Sequence, residues 1–135
     1  MNRQQKNYAT AKAVYQEAKE AADNYEIAFI AREGIKNDDG TIPKFLYMME
    51  VESEAYFDEC SAKLDNDPKY IKLFDAERRA RKLLSAAEED LIDYALSLPM
   101  PEEAREALDR GRNNYKIRQK LIDLTFKLDT RTVKA

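Results

Sequence analysis

The chain contains no histidine and no tryptophan, and a single cysteine, Cys60. Without histidine, the commonest general base and metal ligand is missing. One cysteine excludes an intrachain disulfide framework and any cysteine-rich zinc site. Glycine numbers three and proline four in 135 residues, too few for the many tight turns of a β-sandwich or barrel. No apolar run approaches a membrane span; the longest are Ile27–Ala31 and Phe45–Met49. The first six residues lead straight into a charged segment with no apolar signal region, so a cytoplasmic chain is expected.

What is present is charge in helical patterns. Charged residues make up 36% of the chain and the net charge is −3, which argues against a general nucleic-acid or membrane binder. The balance is uneven. Residues 104–135 carry nine basic and four acidic side chains, whereas residues 1–66 carry eight basic and thirteen acidic.

Four helical segments are legible. The first covers residues 3–33, with Tyr8, Ala11, Tyr15, Ala18, Ala22, Tyr25 and Phe29 spaced alternately by three and four, a heptad seam. Gly34 suits a left-handed helix stop, and Ile35 the apolar contact that follows it. Asn37-Asp38-Asp39-Gly40 is a turn sequence. The second helix is expected over 43–64, opened by Pro43, with Leu46, Met49, Ser53, Tyr56, Phe57, Cys60 and Leu64 on one arc and Met48, Val51, Ala55 and Ala62 on another. Asp67-Pro68 opens the third, over 68–98, with Asp67 as N-cap. Its seam is Tyr70, Leu73, Glu77, Ala80, Leu84, Ala87, Leu91, Tyr94 and Leu98. The fourth is expected over 101–128, with a frayed tail at 130–135. Gly111 is a possible stop within it, with Asn113 recapping the chain. Tyr115, Ile122 and Phe126 fall on one apolar side of this helix.

These segments imply an all-α fold: a single domain over 1–135, built as an elongated antiparallel bundle of four long helices with coiled-coil-like seams.

No catalytic, cofactor-binding or metal-ligating constellation emerges. Cys60 falls on the apolar arc of its helix among Asp58 and Glu59, which disfavour a thiolate. The glycines stand alone, so no phosphate-cradling loop exists. A calcium loop with Gly40 at its sixth position would need Ile35 and Leu46 as ligands, and neither coordinates. Glu50, Glu54 and Asp58 form an acidic stripe that reads as a solvated face or a partner for the basic C-terminal helix. The expected role is therefore non-enzymatic: a helical protein–protein interaction or scaffolding module that self-associates, as a homodimer or higher. Along the third helix, Arg78, Arg79, Arg81 and Lys82 precede Leu84, while Glu88, Glu89, Asp90 and Asp93 follow it. Two antiparallel copies would set each basic block against an acidic one. The alternative is a nucleic-acid-associated accessory protein, using the basic face Arg105, Arg112, Lys116, Lys120 and Lys127 of the C-terminal helix.

Overall fold

A computed structural model describes residues 1–134, with side chains through Lys127. The described residues form five α-helices and no strand: α1 (Arg3–Glu33), α2 (Glu54–Asp65), α3 (Pro68–Ser97), α4 (Glu102–Arg110) and α5 (Tyr115–Lys134), with one 3-10 turn at Leu46–Met48. The all-α reading holds, and the number of helices differs from four.

The chain divides into two compact units. One, the terminal unit, comprises Met1–Ala13 with Arg81–Ala135; the other, the central unit, is Val14–Ala80.

The core of the terminal unit is Tyr8, Ala87, Leu91, Ile92, Ala95, Leu96, Leu121 and Ile122. On α3 these residues fall at i, i+4, i+5, i+8 and i+9, which keeps one stripe of the helix inward. The start of α1 is closed by a reciprocal cap. The Asn2 amide donates to Gln5 Oε1 at 2.7 Å, and the Gln5 amide donates to Asn2 Oδ1 at 2.8 Å. Gln5 is buried, and its Nε2 donates to the Thr125 carbonyl of α5 at 3.0 Å.

The helix expected over 101–128 is two helices. The Gly111 amide closes α4 by donating to the Ala107 carbonyl, and Asn114 opens α5, its Oδ1 accepting from the Lys116 and Ile117 amides at 3.0 and 3.3 Å. The recapping residue is thus Asn114, not Asn113. Gly111 has an ordinary φ of −93°. A Cβ there would overlap Ile117 Cδ1, the movable end of that side chain. The new start rotates Tyr115 outward, to 80% exposure, although the heptad reading set it on an apolar side. The last helix extends to Lys134, past the expected end at 128. Ala135, the end of the expected frayed tail, lies outside the described residues.

In the central unit, Phe29, Ile30, Ile35, Leu46, Cys60 and Leu64 form the core, flanked by Tyr25, Met49, Tyr56 and Tyr70. Gly34 takes φ +65°, its amide donating to the Ala31 carbonyl and that of Ile35 to Ile30, so α1 ends as its sequence suggests. The helix expected over 43–64 begins only at Glu54. Residues ahead of it find other partners for their amides. Glu26 Oε2 accepts from the Leu46 amide at 2.9 Å, Asn37 Oδ1 from Glu50 at 2.7 Å, and Asp38 Oδ2 from Glu52 at 2.8 Å. Such side-chain bonds compete directly with helical ones. Ser53 then caps α2, its Oγ accepting from the Tyr56 amide at 3.2 Å. The shorter helix has one buried stripe; Met48, Ala55 and Ala62 of the second arc are exposed.

Candidate interaction site

In the central unit, the first turns of α3 and the end of α2 enclose a groove of about 240 Å³, lined by Asp65, Tyr70, Ile71, Phe74 and Asp75. Its construction starts at Asp67. Asp67 Oδ1 accepts from the Lys69 amide at 2.9 Å, and Pro68 occupies the first helical position, where no amide is required. The second carboxylate oxygen receives the Tyr25 hydroxyl at 2.6 Å and lies 3.8 Å from an Arg32 nitrogen. The Tyr25 hydroxyl, above all, holds the Asp67 carboxyl below the usual carboxylate range; the Lys69 and Tyr70 amides and Arg32 add to the effect.

Three rings form a ladder above this cap. Tyr25 stacks on Tyr70 with centroids 6.3 Å apart, and Tyr70 on Phe74 at 5.9 Å. The Tyr70 hydroxyl donates to Glu26 Oε1 at 3.4 Å, which orients the central ring. Burial pushes the Tyr70 phenol up to about 12, and the charges of Glu26, Asp65 and Glu77 act in the same direction. Burial also raises the Glu26 carboxyl, opposed in part by its bonds from Leu46 and Tyr70.

The ladder's outer end is open. Ile71 and Phe74 are each 43% exposed. Asp65 and Asp75 flank them, exposed and without an ion pair among the described residues. At about 240 Å³ the space falls below the ~300–1,000 Å³ usual for small-molecule sites. It has the size for a side chain or two, with apolar contacts in the middle and carboxylates at the edge.

Among the residues singled out from the sequence, Leu84 is half-buried and packs against the terminal core. Glu88 and Glu89 hold Arg118, and Glu89 and Asp93 receive Arg112 at 2.8 and 2.7 Å. Arg118 is the residue that α5 brings to this network. The two guanidiniums keep the Glu89 carboxyl below its ordinary value, with Arg118 the larger influence. Asp90, Arg78, Arg79, Arg81 and Lys82 are exposed. Glu88, Glu89 and Asp93 of the acidic block thus work within their own chain, whereas Arg78, Arg79 and Lys82 have no ion pair among the described residues.

The basic face is dispersed by the break at Gly111. Arg105 of α4 donates to the Leu96 and Leu98 carbonyls at 2.8 and 3.2 Å and pairs with Glu102 at 2.7 Å. Arg112 lies between helices, held by Glu89, Asp93 and Asp109. Lys116, Lys120 and Lys127 are exposed on α5.

Cys60 is buried in the central core. Glu50 lies outside α2, so the stripe Glu50, Glu54, Asp58 does not share one helix. Among the described residues no cluster of three acidic or cysteine side chains is placed to hold a metal ion, and no helix is long and apolar enough to cross a membrane.

The groove escaped the heptad reading because Ile71, Phe74 and Asp75 lie off the α3 seam. Their own spacing, with Arg78, is i, i+3, i+4, i+7: a second helical face, apolar in its N-terminal half and charged in its C-terminal half. Comparisons with known protein families, characterised proteins and solved structures gave no significant match.

Proposed function

We propose that this chain is a non-enzymatic helical protein–protein interaction module whose contact surface is the groove of the central unit. The observation that carries the reading is the open aromatic ladder: Ile71 and Phe74 stand in solvent at its end, between Asp65 and Asp75. Apolar and aromatic side chains on a pre-ordered backbone, ringed by charge, are the ordinary make-up of an interface anchor point. The dimensions favour a protein side chain over a free metabolite.

The nucleic-acid reading draws less support. It rests on Lys116, Lys120 and Lys127, since Arg105 and Arg112 are already engaged within the chain.

The test is site-specific photocrosslinking in cells. A benzoylphenylalanine placed at Ile71 should give discrete protein adducts that the same probe at exposed Lys120 does not, and a Phe74→Glu change should remove them. Absence of adducts from position 71, or identical adducts from both positions, overturns the proposal.

A further inference from the structure

Arg78 follows Phe74 by one turn on the same face of α3 and is exposed. That one face therefore carries a base (Arg78), an acid (Asp75) and, on the N-terminal side of them, an apolar pair (Ile71, Phe74). From this self-complementarity we infer that the groove is occupied by the same face of a second copy of the chain, in an antiparallel two-fold pair. The inference rests on the groove's being an interaction surface and names its partner.

The geometry follows from helix dimensions. With a rise of about 1.5 Å per residue, Asp75 and Arg78 lie at equal distances from a point midway between Ala76 and Glu77. A two-fold axis through that point brings each Asp75 level with Arg78 of the other copy. The same operation brings that arginine within about one residue's rise, ~1.5 Å along the axis, of Phe74. Arginine suits this place, because its guanidinium stacks on an aromatic face while bonding a carboxylate in its plane. An isologous contact needs a patch that complements itself under two-fold rotation. A parallel pairing would set Asp75 on Asp75 and Arg78 on Arg78, so the charges also choose the orientation.

The acidic side of this contact differs from the Glu88–Asp93 block expected from the sequence. Glu88, Glu89 and Asp93 are taken by Arg112 and Arg118. Asp75 and Arg78 have no such claim on them among the described residues.

The experiment measures the molar mass of the full chain by light scattering and sedimentation over a range of concentrations. The parent should rise reversibly toward twice 15.7 kDa. Asp75→Arg alone and Arg78→Asp alone should each remain monomeric, because both changes set like charges opposite one another. Asp75→Arg and Arg78→Asp combined in one chain should restore the dimer, and an equimolar mixture of the two single variants should form a heterodimer. All three positions changed or tested here are solvent-facing, and circular dichroism verifies that helix content is kept; Ile71→Ser should weaken the dimer without any change of charge. A monomeric parent overturns the inference. So does a dimer indifferent to both reversals, or a double reversal that fails to restore association. If the parent is monomeric while position 71 crosslinks to a different protein, the pairing fails and the interaction reading stands. If it is monomeric and position 71 gives no adduct, both fail.

Discussion

The side-chain amide of Gln5 donates to the backbone carbonyl of Thr125 at 3.0 Å, joining residues 120 apart in sequence. The same side chain's Oε1 caps α1. Both ends of one buried amide are thus in use, and the two roles separate by substitution. Gln5→Glu keeps an acceptor for the Asn2 amide but places a carboxylate against the Thr125 carbonyl. Gln5→Ala loses both bonds. Each variant should lose roughly 1–3 kcal/mol, the cost of disturbing a buried polar group. Equilibrium denaturation measures this; a Gln5→Glu variant as stable as the parent at neutral pH would show that the cap alone matters.

Gly111 and Ile117 form a second linked pair. Gly111→Ala should destabilise only slightly, by under about 1 kcal/mol, because the new Cβ displaces Ile117 Cδ1, the movable end of that side chain, into another rotamer. Ile117→Val deletes that same atom. In the valine background, Gly111→Ala should become neutral or stabilising by ~0.4–1 kcal/mol, since alanine has fewer unfolded conformations to lose. Denaturant midpoints of the four proteins test the coupling. Additive effects would mean that the new Cβ does not meet Ile117.

Two carboxylates of the central unit should titrate with opposite effects on stability. The Asp67 pKa is depressed in the folded protein, chiefly by the Tyr25 hydroxyl. Its contribution is therefore present above its unfolded pKa, near about 4, and disappears as pH falls through the depressed value. The advantage of the parent over Asp67→Asn should shrink in acid. The Glu26 pKa is raised, chiefly by burial. There the folded state binds its proton more tightly, so the parent should lose ground to Glu26→Gln as pH rises from about 4 through the raised value. Midpoints measured across that range give both slopes; slopes of the same sign would contradict the assignment.

The two long seams were legible in the sequence because they repeat. Tyr8, Ala11, Tyr15, Ala18, Ala22, Tyr25 and Phe29 of α1 are each buried or half-buried, and so is every α3 seam position from Tyr70 to Leu98, Glu77 included. The Gly34-Ile35 stop and the Asp67-Pro68 start were legible for a related reason. Left-handed φ and a missing amide are properties of single residues and need no neighbours.

Residues 43–53 show where local pattern ceases to decide. Leu46, Met49 and Ser53 have helical spacing, but their segment has its amides claimed by Glu26, Asn37 and Asp38. Glu26 belongs to a helix twenty residues earlier, and its reach depends on how the chain folds back. The fate of the charges was decided the same way. Arg112 and Arg118 meet Glu89 only because α3 and α5 pack together in the terminal unit, and this engages Arg112 of the basic face and Glu88, Glu89 and Asp93 of the acidic block within the chain while Lys116, Lys120, Lys127 and Asp90 stay exposed. Periodicity along the chain determined which residues turn inward on each long helix. Which polar groups remain free for another molecule was decided by tertiary packing, because hydrogen bonds and ion pairs form between whatever groups the fold brings within reach.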